Sequence, residues 1–493
     1  MSATQAKPQA KLRPIPLVAE SYQLASSAAS STQLLNLYPE KMPDGARSAF
    51  ILKSTPGLEE WTTIGTGPIL ASATLAGALW VVSGTQAWVK PDNLGPAILL
   101  GDVGTAVGGG GDAVSGTVTI AVGLTGVVFC VPPRAYVANF DTVTPTFNQI
   151  TTGTPAGEGW PTEGASSVCY LDGYYIFTSF TGTYFFTSRL LDPLAYDSLS
   201  FVYISTEVDY VEQCVAHNGE LWLFGQNMVR IWHQTGSKDN PFEPRVGGLI
   251  PHGYGARRTI QSLDGSLWWL GVDNIVYRSK GYTAERVSNH AIEEVLSDYN
   301  GGFLRTASAC GYMFDGHAFY ALSLPLADAG RTFVFDAATD KWHERNSSSD
   351  GIGRWNINTS SQLSARTVLG SSVNGQIFHQ KMSVITENGV HLPRTAALPM
   401  IIAHGARSFM NFVEIEMEVG TPLASTGVAL HWSDDGGVTF TPTRSLPTLG
   451  LGRTRARVRA TRLGSFRQRI LRIISPRAIT IYAVDADIDG GIT

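Results

Sequence analysis

The sequence predicts an all-β protein: a β-propeller of seven blades, with six as the alternative, plus an extended N-terminal arm and a C-terminal β-sandwich. Three observations point there. Only 16 % of the 493 residues are charged and 52 are glycine. That balance describes many short strands joined by tight turns, not a coiled coil or a disordered chain. The second is an internal repeat. The third is that the repeat stops near Pro393, while strand-like runs continue to the C-terminus.

The repeat is carried by glycines followed by short apolar runs, as in Asn218-Gly219-Glu220-Leu221-Trp222-Leu223-Phe224 and Asp264-Gly265-Ser266-Leu267-Trp268-Trp269-Leu270. The marker glycines are 77, 126, 173, 219, 265, 316 and 375, spaced 46 to 59 residues apart. Three residues after each comes Trp80, Phe129, Ile176, Trp222, Trp268, Phe319 or Phe378. A turn with glycine supplies the positive φ that opens a hairpin. Four or five apolar residues are too few for a helix and suit a strand buried on both faces. A period near 46 is the length of a four-stranded propeller blade, with the bulky residue filling the wedge between blades. Cys169, Cys214 and Cys310 each lie four to six residues before a marker, which suggests a small buried position on the preceding strand.

The domain reading follows. Residues 1–46 carry Pro8, Pro14, Pro16, Pro39 and Pro43 without periodicity, and read as an extended arm. Residues 47–392 read as the propeller, with one inserted helix near 288–299 capped by Ser288 and ended by Gly301-Gly302. The 104–116 stretch reads as a glycine-rich loop lacking the Lys-Ser/Thr of a phosphate cradle. Residues 393–493 read as a sandwich with strands Phe412 to Val419, Val428 to Ser433, Val438 to Phe440, Arg453 to Leu463, Arg467 to Ile474 and Ile479 to Ile488. Ser433-x-Asp435-x-Gly437-x-Thr439 matches an Asp-box hairpin, whose side chains hold a turn.

The search for chemistry yields no catalytic residue, cofactor site or metal site. Ten histidines are scattered without H-x-x-x-H or H-E-x-x-H, and no G-x-S-x-G occurs. The four cysteines form no C-x-x-C and read as buried thiols. No apolar region follows Lys7, Lys11 and Arg13, so no signal peptide is read and synthesis in the cytoplasm is expected. Thr117 to Val131 is too short and too broken by glycine for a membrane span, and no membrane partner is expected.

Charge is segregated. The formal net charge is −5, yet residues 444–477 hold ten arginines and no Asp, Glu or Lys, leaving −15 on the rest. Arg453, Arg455, Arg457 and Arg459 alternate with small or apolar residues, so strand period places them on one face. Like charges on one strand face are unfavourable unless answered. With Arg462, Arg467 and Arg469 they form a candidate partner interface. A solvated face, an acidic protein surface and DNA phosphate are the open readings. The acidic remainder disfavours DNA as the main ligand.

A family resemblance rests on distributed residues. Leu35-Asn36-Leu37-Tyr38-Pro39-Glu40 and Leu52-Lys53-Ser54-Thr55-Pro56-Gly57 precede the first repeat. The Val287 to Tyr299 helix has an Ile292-Glu293-Glu294 core. Near the C-terminus stand Ser433-x-Asp435-Gly436, Arg462-x-Gly464-x-Phe466-Arg467, Arg472-x-Ile474 and Ser475-Pro476. Together they resemble the packaged-DNA stabilisation, or tail hub, proteins of short-tailed phages. The resemblance implies a non-enzymatic structural virion protein of the head-to-tail junction, a head-completion component of the phage tail. It implies a homo-oligomeric ring, usually six-fold, below the portal and its adaptor ring. The ring would close the channel, retain packaged DNA with at most transient contact, and carry a tail needle and tailspikes or fibres. A host-receptor or glycan-binding propeller is the alternative, and a propeller glycoside hydrolase a more distant one.

Overall fold

The computed structural model describes residues 12–19, 32–92, 95–108, 117–151, 159–204, 209–237, 241–299, 301–324, 330–403, 407–419, 427–446 and 455–490. Among these, strands dominate and fall into two units, a ring of small sheets and a pair of larger ones.

The ring is a seven-bladed β-propeller. Six blades are consecutive antiparallel four-stranded meanders, running from Ile69–Leu75 in the first to Lys341–Arg345 in the sixth. The seventh contains Ile357–Leu363, Arg366–Ser371 and Gln376–Lys381, and its fourth strand is Gly57–Thr63 from before the first blade. That pairing closes the ring with residues more than 300 positions apart in sequence.

The turn chemistry works as the repeat predicts in five blades. Ala76-Gly77, Asp172-Gly173, Asn218-Gly219, Asp264-Gly265 and Asp315-Gly316 all have positive φ at both positions, the type I′ geometry of two-residue hairpins. A Cβ at Gly219 would meet nothing within 4 Å, so backbone conformation and not space asks for glycine there. Gly126 ends a longer turn at negative φ. Gly375 is not the equivalent marker: it follows the second strand of blade seven, and the first hairpin there turns at Ser364-Ala365. The apparent 59-residue interval arises from this displacement.

The bulky residues behave as wedges. Seven separate hydrophobic clusters join neighbouring blades all the way round, the last linking Val368 of blade seven to Leu79 and Val81 of blade one. Trp80, Trp222 and Trp268 are at most 2 % exposed. Burying one such ring contributes roughly 4–6 kcal/mol. Cys169, Cys214 and Cys310 are buried on the innermost strands of their blades, and burial pushes the Cys310 thiol up to about 12.

The helix is His290–Asp298, packed through Ala291, Ile292 and Leu296 into the wedge between blades five and six. Its cap is Asn289, whose side chain accepts from the Ile292 amide. Ser288 instead accepts from the Val276 amide and donates to Glu293. Gly301 and Gly302 open a further helical turn, Gly301–Leu304. Of the 104–116 loop, 109–116 lies outside the described residues.

The second unit comprises two sheets sharing one hydrophobic core. One orders Leu37–Lys41, Phe50–Ser54, Ile479–Gly490, Ser408–Val419 and Arg455–Phe466, with Leu12–Ile15 also on Ile479–Gly490. The other orders Gln33–Leu35, Arg394–Ala397, Gln468–Ser475, Val428–Ser433 and Arg444–Leu446. Segments expected as an arm therefore supply Leu12–Ile15, Gln33–Leu35 and Leu37–Lys41 as strands. No strand forms at Val438 to Phe440. Asp435 takes the amides of Val438 and Thr439, and a backbone bonded to that carboxylate is withdrawn from a ladder.

The two units meet at blade six. Its outer strand Lys341–Arg345 pairs in parallel with Gln33–Leu35, so one sheet runs from propeller to C-terminal unit. Asn36, at φ 53°, donates to Asn346 Oδ1 at 2.7 Å and to the Pro393 carbonyl at 3.0 Å. Beside it, buried Arg345 pairs with Glu387 at 3.2 Å and stacks 3.9 Å from the centre of the Trp355 ring.

Candidate functional site: the arginine strand and the propeller channel

Strand Arg455–Phe466 alternates as its sequence requires. Ala456, Val458 and Ala460 enter the core, while Arg455, Arg457 and Arg459 face outward. Arg453 lies outside the described residues. The neighbouring strand Ser408–Val419 repeats the pattern with opposite charge. Val413, Ile415 and Met417 point inward, and Glu414, Glu416 and Glu418 stand opposite Arg459, Arg457 and Arg455 in register.

The result is a charge ladder within one chain. Arg459 reaches Glu414 at 2.7 Å and lies 4.2 Å from the centre of the Phe412 ring. Arg457 stands 3.5 Å from Glu416. Arg455 lies over Tyr482, whose hydroxyl donates to Glu418. Arg47, preceding the strand Phe50–Ser54, bonds both Glu416 and Asp485. Sequence reasoning missed Glu414, Glu416 and Glu418, although their period-2 spacing was a readable signal. The need for an external answer to these arginines therefore falls away.

The remaining candidates separate. Arg469 is 1 % exposed. It forms a two-pronged pair with Asp434, both contacts at 2.7 Å, donates to the Leu463 carbonyl at 2.9 Å and packs on Phe466. It is an internal clamp on the turn that holds the Asp box, not a surface residue. In that turn Asp435 accepts from Ser433, Thr439 and two amides, which hold its carboxyl well below the usual range. Arg462 and Arg467 differ again: both are exposed and neither has a carboxylate partner among the described residues. Arg462 sits at φ 61° where the register with Ser408–Val419 shifts, and Arg467 follows the strand's last residue.

The propeller axis holds the other concentration of polar chemistry. A cavity of about 390 Å³ is lined by the innermost strands of the blades, with Thr119, Gln213, Arg257, Arg258 and Asn358 among its walls. Among the described residues no group of three or more His, Cys, Asp or Glu side chains could hold a metal ion, and no helix is long and apolar enough to cross a membrane.

Comparison with known families places this closed seven-bladed ring, built onto a two-sheet unit, among the structural proteins of phages. The chain belongs to the phage stabilisation family described as "Bacteriophage P22 Gp10, beta-propeller", which matches residues 14–383. It is thus a phage structural protein of the tail-hub, DNA-stabilising kind. The match ends two residues beyond the last propeller strand, Gln376–Lys381. No curated protein sequence matches the chain. Solved structures similar to it include Hsv2 of Kluyveromyces lactis, at 13 % identity over 64 % of this chain and 97 % of that one, with a TM-score of 0.33. The computationally designed Ika8 protein is 10 % identical over 75 % and 99 %, at a TM-score of 0.36. PorZ of Porphyromonas gingivalis is 8 % identical over 72 % and 44 %, also at 0.36. Superpositions this loose carry no functional argument.

Proposed function

We propose that the protein is a non-enzymatic hub of the phage head-to-tail junction, resident in the virion. In this reading copies assemble into a closed ring, six-fold by the family resemblance, beneath the portal-adaptor ring. The ring closes the channel after packaging, retains the DNA with at most transient contact, and carries the tail needle and tailspikes or fibres. The observation that carries the reading is the family match across the whole propeller. The continuous sheet through Gln33–Leu35 supports it, because a hub that transmits load needs its two units fixed to one another.

Closed rotational symmetry brings one patch of a subunit against a different patch of the next. We assign the cationic side of that contact to Arg462 and Arg467, exposed and without carboxylate partners, and only secondarily to Arg455, Arg457 and Arg459, whose charge the glutamates already offset. Arg453, at the head of the same alternation, belongs with the ladder group by sequence. Negative-stain microscopy of the purified chain, alone and with the adaptor ring, tests this. Rings are expected for the wild type, and Arg462→Glu with Arg467→Glu should abolish them while leaving a folded monomer. Rings that persist in the double variant would remove this surface from the contact.

A further inference from the structure

The cysteines on the innermost strands are not equivalent. Cys169 lies on Ala165–Leu171 of blade three and Cys214 on Val211–His217 of blade four. Both face one wedge, where they share a buried cluster with Ile176 and Leu223. Each of these strands carries a bulge before its cysteine, at Ser166 and at Glu212, and a bulge sets the face that the following residues take. Cys130 and Cys310 face other wedges, and neither buried cluster there holds a second cysteine.

Several contacts bring the two thiols together. The Cys214 thiol donates to the Ile176 carbonyl at 3.3 Å, and Ile176 stands directly opposite Cys169 in the ladder of blade three. Opposite residues of an antiparallel pair have Cα atoms about 4.5–5.5 Å apart, and their side chains share a face. Ser167, two positions before Cys169, accepts from the Cys214 amide at 2.9 Å, and its hydroxyl lies 3.3 Å from Cys214 Sγ. The two thiols also hydrogen-bond each other. Both line the channel cavity of about 390 Å³, and Cys169 is 9 % exposed. Burial, and then the bond with Cys214, hold the Cys169 thiol well above its ordinary 9.0. Burial pushes Cys214 upward too, but bonds with Cys169 and Ser167 outweigh it and make Cys214 the sulfur that ionises first.

We infer that Cys169 and Cys214 are a disulfide-forming pair, which a peroxide entering the channel cavity closes into a covalent tie between blades three and four. The Cys214 thiolate attacks one peroxide oxygen. The O–O bond breaks, a sulfenic acid forms, and the departing hydroxide takes up the thiol's proton as water. The Cys169 sulfur then attacks Cys214 Sγ. The S–S bond forms, the S–O bond breaks, and the oxygen leaves as a second water with the Cys169 proton. Two thiols are oxidised and one peroxide is reduced. A reducing cytoplasm keeps such a pair open, and oxidising surroundings outside a cell close it.

The test uses the purified full-length chain, folded, with hydrogen peroxide as the probe and dithiothreitol to reverse it. Intact mass, thiol titration in denaturant and non-reducing peptide mapping follow the product. Loss of two of the four thiols, a mass lower by two hydrogens and a Cys169–Cys214 peptide are expected. The thermal midpoint should rise, because the bond closes a long loop, and dithiothreitol should return it to its starting value. Cys169→Ser and Cys214→Ser should each abolish the cross-link, and Cys130→Ser and Cys310→Ser should leave it. The wild-type peptide map stands by itself if a variant fails to fold. Retention of all four thiols by the folded chain overturns the proposal. So does a cross-link through Cys130 or Cys310, one that forms only in urea, or a gain of oxygen without a cross-link.

Discussion

The arginines of the C-terminal sheets and those at the end of the propeller channel invert what their sequence suggests. The first group is conspicuous, ten residues in a block of 34 without a carboxylate, yet on its strand face Arg457 and Arg459 are ion-paired and Arg455 stands opposite Glu418. The second is inconspicuous, two adjacent residues and one nearly a hundred positions away, yet Arg258 and Arg354 have no carboxylate partner among the described residues. A run of charge in sequence reports only composition. Cross-strand register decides whether it is balanced, because residues opposite on neighbouring strands lie about 4.5–5.5 Å apart between Cβ atoms. Strand Ser408–Val419 supplies that balance from about forty residues upstream.

The sharpest way to separate the regions is to break a pair in each. Asp434→Ala would leave Arg469 buried and unpaired, and Glu212→Gln would do the same to Arg257. Removing one partner of a buried pair typically costs about 3–5 kcal/mol. The channel pair should reach that range, since both side chains are 0 % exposed. The sheet pair should fall at its lower end, because Asp434 is 42 % exposed. Arg258→Gln should cost less than either, since Arg258 is half-buried and its side chain bonds the neutral Asn358. Urea unfolding of the three variants checks the ranking. An Arg258 variant as damaged as the Glu212 variant would show that the channel end holds both arginines alike.

A smaller effect is expected from reversing the ladder. Arg455→Glu with Arg457→Glu places like charges opposite Glu418 and Glu416. Opposed charges on paired strands are worth about 0.2–1 kcal/mol each, and these are exposed to solvent. The double variant should lose roughly 1–2 kcal/mol, with a loss that shrinks in high salt. Equilibrium unfolding at two salt concentrations measures it. A salt-independent loss would mean that the long arginine stems, not their charges, stabilise this face.

Much of the propeller was legible because each blade is a local hairpin series, and local turns leave local signatures. Asn218-Gly219 or Asp264-Gly265 followed by a Trp can be read without knowing the neighbouring blade. Closure was not legible: Gly57–Thr63 pairs with Gln376–Lys381, and no local feature of either names the other. Blade seven was misread at Gly375 for a related reason. Ser364-Ala365 turns its first hairpin without glycine, so the nearest glycine stood in for it. The bulges at Leu70, Ser166, Glu212 and Asn358 have no common residue type and surface only in the register. On the C-terminal sheets the arginine face was read and its acidic complement overlooked, although both obey the same alternation.

The smallest expected effect lies where the two regions join. His317 of blade six bonds Asp336 at 2.8 Å through Nδ1 and Glu40 at 3.1 Å through Nε2. Glu40 belongs to Leu37–Lys41 of the C-terminal sheets, so the imidazole bridges the units. The bond to Asp336 chiefly, and that to Glu40, raise the His317 pKa above its ordinary 6.5 against the opposing effect of burial. A histidine whose folded pKa is raised contributes stability fully below its unfolded pKa and loses it as pH rises through the folded value. The junction should therefore weaken as pH climbs above about 6.5, by an amount on the order of 1 kcal/mol or less. His317→Gln should flatten that part of the stability profile without changing the acid limb below pH 5. Because Glu40 reaches the imidazole from the sheets while Asp336 sits within the propeller, Glu40→Gln should remove only part of the slope. If it removed all of it, the titration would belong to the junction alone; if none, to the propeller blade alone. Unfolding measured between pH 5 and 9 distinguishes the three.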